Sequence, residues 1–364
     1  MNEVLEPGEP NTTDVEVASD VPAEVAEGAE GAELADPALN DPAADRPADD
    51  LADYSAESPE DRPVEEPAAE QGDQPANEPA QGPVTVGRMV ADALRRAGVR
   101  WAFTVPGESF LGLIDGLEGA GIHVVATRHE GAASFMAEAH AQLTGRPAAC
   151  LATRAVGAAN LSIGIHTAFA DSSPMFALVG QVERAARGRE GFQEADLVET
   201  IGGLAKWATE PRDVAEAVAA IGRAVEEATT GRPGPVLMSF AEELLDLEVP
   251  AGLAPEAARI APRRPSDEQI AAILHLLTSA ERPVILAGGG VLRARTSNDL
   301  LRLAELIRVP VIAGWRRGDL IPNDHPLYLG MTGYGSPATV RERLENADAM
   351  LVIGCRLGEV ASYG

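Results

Sequence analysis

From residue 85 onward the apolar positions recur with a regular beat. In TVGRMVADALRRAGV (85–99), Val86, Met89, Val90, Leu94 and Ala97 fall on one stripe of a 3.6-residue period. Arg88, Arg95 and Arg96 lie largely off that stripe, so the segment predicts an amphipathic helix. WAFTVPG then predicts a short buried strand that ends at Pro106 and Gly107. The alternation continues with a helix over 109–118, a strand in IHVVATR, a helix over 130–144, a strand in AACLAT, a helix over 158–169 and a strand in MFALVG. Further alternation ends in the helix DVAEAVAAIGRAVEEATTG and the strand PVLMSF. Short apolar strands separated by helices predict an α/β fold with a doubly wound parallel sheet covered on both faces.

The rhythm breaks at AEELLDLEVPAGLAPEAARIAPRRP, which is rich in proline and charge, and residues 246–265 are expected to be a linker. A second unit follows, with helices expected over 266–279, 296–307 and 337–346 and strands in PVILAGGG, VPVIAG and AMLVIG. The sequence stops just after a strand, where a complete doubly wound domain runs for several more elements. Residues 266–364 are therefore expected to be an incomplete domain, and 84–245 a complete one.

Residues 1–83 are a different material. They hold 24 Asp and Glu against only Arg46 and Arg62, so most of the net charge of −28 lies there. They also hold 12 of the 27 prolines and one aromatic, Tyr54, too little apolar material to offset the entropy of ordering the chain. A disordered acidic tail is expected, read first as a spacer, with an interaction arm or a solubilising brush as the alternatives. Its charge argues against a nucleic-acid partner, because like charge repels phosphate. MNEVLEPGEP lacks the basic and apolar regions of a secretory signal. No apolar run approaches the roughly 20 residues of a membrane helix, so no membrane partner is expected. Cys150 and Cys355 sit in apolar runs without a metal-ligand pattern, which fits a reducing, cytoplasmic setting.

Glycine-containing turns follow several strands, at Gly107, Gly157, Gly180 and Gly288 to Gly290, and in an open parallel sheet ligands bind at those strand ends. The glycine triplet lacks GxGxxG spacing and reads first as a tight turn, with Arg293 the phosphate partner if a nucleotide binds. Glu130 stands at a strand-to-helix junction, where the helix terminus favours the charged carboxylate and burial the neutral acid. On that placement alone it reads as a helix-capping acid.

The longer strings change this reading. VPGESFLGLIDGL, RHEGAASFMAEAHAQLTGRPA, AANLSIGIHTAFADSSPMFALVGQV, GREGFQEADL, AKW, TTGRPGPVLMSF and RRGDLIPNDHPLYLG, in this order, resemble the thiamine-diphosphate-dependent enzymes, most nearly those of the acetolactate synthase (acetohydroxyacid synthase) type. The resemblance covers 84–364. It implies a pyrimidine-binding domain over 84–245 and most of a Rossmann-like central domain over 266–364. The family's pyrophosphate-binding domain is not matched, and no Gly-Asp-Gly occurs; Gly318-Asp319-Leu320 is a near miss.

What the resemblance implies chemically is a carboligase or decarboxylase acting on pyruvate or a related 2-oxo acid, using thiamine diphosphate and magnesium. The magnesium ligands are expected in the missing domain, none is assigned here, and flavin is left open. Matched residue by residue, Glu130 is the acid that shares a proton with the aminopyrimidine nitrogen. Gly107, Glu108 and Asn160 match cofactor-binding positions. Phe192 and Gln193 match the substrate-lining loop, with Gln193 counted beside Glu130 as catalytic, and Lys206 matches a lysine near the site entrance. The family's shared site implies a homodimer or homotetramer. The small residues Ala132, Ala133, Ser134, Ala137, Ala139 and Ala141 suit close helix pairing across that boundary or packing on the chain's own sheet.

One stretch departs from the family. Where it reads TRGPGATN or TSGPGATN, this chain has Thr153-Arg154-Ala155-Val156-Gly157-Ala158-Ala159-Asn160. Val cannot take the positive φ that glycine allows, so a reshaped turn is expected, with Asn160 anchoring the start of the helix. The alternative to an enzyme is an incomplete, non-catalytic paralogue that keeps the fold as an oligomerisation partner.

Overall fold

The computed structural model describes residues 84–255 and 264–363. The expected disordered tail, 1–83, and residues 256–263 of the expected linker lie outside the described residues.

The first sheet is wholly parallel. Its strands are β1 (Trp101–Thr104), β2 (His123–Ala126), β3 (Ala148–Thr153), β4 (Met175–Gln181), β5 (Trp207–Thr209) and β6 (Pro235–Ala241), in the order β2-β1-β3-β4-β6-β5. The two-residue period of a strand divides its side chains between two cores. Ala149 and Leu151 of β3 and Phe176 and Leu178 of β4 enter one core with helices α1 (Val86–Arg96), α2 (Leu111–Gly119) and α6 (Val214–Thr229). Ala148, Cys150 and Ala152 of β3 and Met175, Ala177 and Val179 of β4 enter the other, with α3 (Glu130–Thr144), α4 (Arg154–Asp171) and Leu197 of the short α5 (Leu197–Thr200). The expected two-faced burial of continuous apolar strands holds for β3, β4 and β6 and most of β1, while the edge strand β2 is largely exposed and β5 half-buried.

The elements start where local chemistry starts them. Thr85 caps α1, its hydroxyl accepting from the Arg88 N–H at 3.3 Å, and Asp213 caps α6 through the Glu216 N–H at 2.8 Å. Two boundaries differ from the sequence reading. α4 begins at Arg154 rather than near 158, because the turn out of β3 is made in one residue. After α7 (Glu242–Leu245), the chain pairs back on its own beginning, with Val86 N–H donating to Leu247 O at 2.9 Å and Val249 N–H to Val84 O at 2.8 Å. The first part of the expected linker is thus integral to the first sheet's domain.

The second sheet is also parallel, in the order β10-β7-β8-β9, with β7 (Pro283–Ala287), β8 (Val311–Ala313), β9 (Tyr328–Met331) and β10 (Ala349–Ile353). Its helices are α8 (Asp267–Ser279), α9 (Gly289–Arg293), α10 (Ser297–Ile307), α11 (Ala338–Glu345) and α12 (Glu359–Ser362). α8 carries a full capping box between Ser266 and Gln269. β5, β9, α9 and α12 were not individually expected; each is too short to leave a periodic signature.

α3 and α4 lie against each other, and small residues make the approach. Ala133, Ala137 and Ala141 are fully buried within this chain, so of the two readings of that stripe, packing within the chain holds for them. A Cβ added to Gly164 would stand 2.2 Å from Ser134 Oγ and 2.8 Å from its backbone carbon. Gly164→Ala gains helix propensity of up to about 1 kcal/mol. The clash with buried backbone outweighs that gain, so a net loss of about 1–3 kcal/mol is expected in chemical denaturation. Unchanged or raised stability would contradict the close helix contact.

Candidate active site

Because every strand of the first sheet runs the same way, the turns after β1, β2 and β3 share one edge. Gly107 leaves β1, and a Cβ there would lie 1.8 Å from Thr153 Oγ1, so only glycine lets this loop rest on the end of β3. Glu108 follows, its side chain 71% exposed. Glu130 is the first residue of α3, half-buried, and it is not the cap of that helix. The cap is His129, whose ring Nδ1 accepts from the Gly131 N–H at 2.9 Å. The capping-acid reading of Glu130 is therefore corrected, and its carboxylate is left for other work.

That carboxylate is held by α4. Asn160 Nδ2 donates to Glu130 Oε2 at 2.9 Å, and Oε1 lies 3.2 Å from the place a Cβ would take on Gly157. Gly157 is thus the vacancy that admits the acid, and Asn160 fixes its rotation. Asn160 sits well inside α4, so it orients Glu130 rather than anchoring the helix start as expected.

The departure at 153–160 resolves differently from the expectation. Ala155 and Val156 are ordinary helix residues, and the positive φ, 49°, falls on Arg154. The Arg154 guanidinium is largely buried and ties three other segments to α4. It meets Glu108 at 3.5 Å and Glu242 at 3.3 Å, donates to Phe192 O at 3.4 Å, and lies 5.9 Å from the Phe192 ring centre. Sequence reasoning quoted Arg154 without giving it a role. The available signal was a cation placed directly at the end of a buried strand.

Phe192 and Gln193 are brought to the same rim. Phe192 is 73% exposed, and Gln193, at φ 63°, accepts the Ala155 N–H on its carbonyl at 3.2 Å. Their loop is clamped from below. Glu194 accepts the Gly188 N–H at 2.7 Å and the Gly191 N–H at 3.0 Å, Arg187 pairs with Glu210, and Glu210 accepts from Ser239 Oγ at 2.8 Å. Lys206 is not brought there. It precedes β5, at the opposite edge of a parallel sheet, where its amine donates to Thr230 O at 3.1 Å and pairs with Glu227 at 3.5 Å. It serves the end of α6, which corrects its placement near the entrance.

The ends of β7, β8 and β10 border a cleft of about 260 Å³ lined by Gly288, Gly289, Gly290, Arg293, Arg317 and Arg356 among others. A Cβ on Gly288 would be 2.5 Å from Cys355 Cα and one on Gly290 2.7 Å from Gly354 Cα, so two of the three glycines are set by backbone approach. Burial, then the neighbouring Arg317 and Arg356, push the Arg293 guanidinium below its usual range. These cations also reach the first domain: Arg293 donates to Ser172 O at 3.0 Å, Arg317 to Asp171 at 2.9 Å and Arg356 to Ala170 O, and Arg295, outside the cleft lining, donates to Thr144 O at 2.9 Å.

The Glu194 clamp is pH-dependent with a definite sign. The Gly188 and Gly191 N–H groups hold its carboxyl below the ordinary glutamate range. A depressed folded-state value means the clamp is present above the unfolded value and is lost as pH falls through the folded one. Hydrogen exchange across 184–196 is therefore expected to speed up below the ordinary carboxylate range in the native protein, relative to the intrinsic rate, and Glu194→Gln to show that faster exchange at neutral pH. Equal protection in both proteins at all pH values would contradict the clamp.

Comparison with known proteins agrees with this geometry. Residues 84–200 match the thiamine pyrophosphate enzyme N-terminal TPP binding domain, and residues 270–364 match the thiamine pyrophosphate enzyme central domain. The chain is 36% identical over 276 residues to a probable acetolactate synthase large subunit of Methanocaldococcus jannaschii, covering 74% of this chain and 47% of that protein. It is 31% identical over 283 residues to the acetolactate synthase large subunit of Corynebacterium glutamicum, covering 76% and 45%. It is 30% identical over 277 residues to a sulfoacetaldehyde acetyltransferase of Rhodobacter capsulatus, covering 75% and 46%. The chain spans about half the length of the curated relatives it matches. With both domain matches falling on the two parallel sheets, and Glu130, Asn160 and Gly107 at the edge of the first, the chain belongs to the thiamine pyrophosphate enzyme family.

Proposed function

We propose that this protein is a thiamine-diphosphate-dependent carboligase or decarboxylase of the acetolactate synthase type, acting on pyruvate or a related 2-oxo acid. The observation that carries the reading is the Glu130 carboxyl seated against Gly157 and oriented by Asn160. The residues present fit an aminopyrimidine ring: Ser109 Oγ and Thr153 Oγ1 are buried without a partner beside the Gly107 loop, polar groups that a ring edge would satisfy. Thiamine diphosphate, when bound, supplies the electron sink for loss of carbon dioxide from a 2-oxo acid and transfer of the remaining carbons. In this reading Glu130 holds a proton at the pyrimidine nitrogen, and Asn160 keeps the carboxyl from turning away. Gly107 and Glu108 border the ring, and Phe192 and Gln193 line the substrate side, with the polar Gln193 proposed as a second catalytic group.

Magnesium belongs to the same proposal with no ligand assigned, since among the described residues no group of three or more His, Cys, Asp or Glu side chains is placed to hold an ion. For the second cleft, the run of arginines beside glycine turns supports an anionic group such as the diphosphate of a flavin dinucleotide. The buried free Cys150 supports a reducing, cytoplasmic setting. A non-catalytic paralogue is the weaker reading, because a scaffold gains nothing from a carboxylate seated in a glycine vacancy.

The proposed assembly is a homodimer, or a tetramer built from it, through the outer face of α3 and α4. Phe135 and Met136 of α3 are each 43% exposed and Ile163 of α4 56%. An apolar face of this kind marks a protein contact.

Replacing Glu130 by Gln keeps the shape and removes the acid, so turnover of pyruvate by the full-length protein is expected to fall by about a hundredfold or more. Undiminished turnover would sink the assignment. Ala137 is internal, so a charge there tests folding. Met136→Arg puts the charge on the outer face, and light scattering is expected to show loss of the dimer together with activity. A fully active monomer would refute the shared-site arrangement.

A further inference from the structure

Arg154 has more binding capacity than its neighbours use. Its side chain is only 12% exposed, yet each of its polar contacts is long: 3.5 Å to Glu108, 3.3 Å to Glu242 and 3.4 Å to Phe192 O. Charge-assisted N–H···O pairs close to about 2.7–2.9 Å when they are fully made. Its Nε is buried with no partner at all. A guanidinium presents five donors in a planar fork, and an unmet Nε beside a weakly engaged Nη is the edge that takes a carboxylate with two parallel hydrogen bonds.

The backbone supports the same point. Arg154 holds φ 49°, a left-handed conformation that costs any residue with a Cβ. Strain of this sort concentrates where a side chain must be aimed. Arg154 stands at the same end of α4 as the acid's seat: it lies three residues before Gly157, whose added Cβ would be 3.2 Å from Glu130 Oε1, and its guanidinium meets Glu108 of the loop after β1. Phe192 stacks over the guanidinium from the proposed substrate loop.

The two carboxylates already at Arg154 are unequal. Glu242 is the less exposed of the pair, and Glu108 is 71% exposed and the more distant. Glu108 is thus the one that an incoming anion displaces into water at small cost. The aminopyrimidine end of the cofactor carries no anionic group, so the anion that meets this edge is the substrate's own.

We propose that Arg154 is the anchor for the carboxylate of the 2-oxo acid, with Glu108 the exchangeable partner that occupies the guanidinium until the acid arrives. This rests on the 2-oxo acid reading of the site. It adds a substrate-contacting residue with a built-in competitor, and it gives Glu108 a role facing substrate in addition to cofactor.

The test is calorimetric titration of the full-length protein, with thiamine diphosphate and magnesium present, in a Glu130→Gln background so that binding is read with turnover slowed by about a hundredfold or more. The probes are pyruvate and its uncharged methyl ester. Arg154→Gln is expected to weaken pyruvate binding about 10- to 100-fold and ester binding far less. Arg154→Lys is expected to recover part of the loss, since the charge returns without the fork. Glu108→Gln is expected to tighten pyruvate relative to the ester, because the competitor is gone. Arg154→Gln weakening both probes equally, or neither, would overturn the anchor, as would Glu108→Gln weakening pyruvate. If the Glu130→Gln protein with Arg154 and Glu108 intact takes up neither probe, it is the 2-oxo acid reading that fails, and the anchor with it.

Discussion

The contact between α3 and α4 is the constraint on which the rest of the site depends. Two helices approach this closely only where the side chains between them are small, and here Gly164 meets Ser134 while Gly157 leaves room for the Glu130 carboxyl. A larger residue at Gly157 would evict the acid, and one at Gly164 would tilt the helix that carries Asn160. The acid, its orienting amide and the packing of two helices are therefore one arrangement, and a change to any of them moves the others. That dependence also explains why Ala133, Ala137 and Ala141 are small: they set the depth at which α3 lies on the sheet and so the height of Glu130 above its edge.

The same two helices are gripped at their other ends. Their last carbonyls, where the helix dipole is negative, receive Arg295 at Thr144 O, Arg356 at Ala170 O and Arg293 at Ser172 O, while Asp171 pairs with Arg316 at 3.4 Å and Arg317 at 2.9 Å. Arg293, Arg316, Arg317 and Arg356, which border the second domain's cleft, are thus among the cations that dock it on the first domain. A group of negative charge in that cleft would draw on guanidinium donors already engaged at α4, so the cleft and the Glu130 rim are joined through a single rigid helix.

How much of this was legible depends on whether the signal was local. The strands β1 to β4 and β6, the long helices and the parallel sheets follow from apolar runs and 3.6-residue periods, which short-range packing enforces. The three-residue β5 and β8, and the four-residue β9, are held by neighbours distant in sequence, and only VPVIAG among them was apolar enough to read. The family strings single out Glu130, but its relation to the helix was not legible. The capping role fell to His129, a residue whose ring does the task usually given to a short side chain, and nothing in the sequence distinguishes that. Asn160 was misread and Arg154 passed over for one reason. The turn after β3 was placed at Ala155 and Val156 by analogy with a glycine-proline pair, whereas the left-handed residue of that turn is Arg154 and the chain is helical from there. Lys206 carried a family position, but in a parallel sheet the end of the strand it adjoins decides which edge it serves.

The half-burial of Glu130 sets the final step. An acid that is to share a proton with a ring nitrogen works best away from water, where its charged form is not favoured by solvation. Within this chain the carboxyl is held by Gly157 and Asn160 and is half-buried, and the same two helices expose Met136, Phe135 and Ile163. Those side chains are large, apolar and exposed, the reverse of what a solvent-facing helix surface carries. A surface laid over them would bury apolar area and dry the acid in the same movement. In the proposed dimer, association and activation of Glu130 are accordingly one event rather than two, which is the physical reason to place the outer face of α3 and α4, and no other face of the sheet, at the boundary.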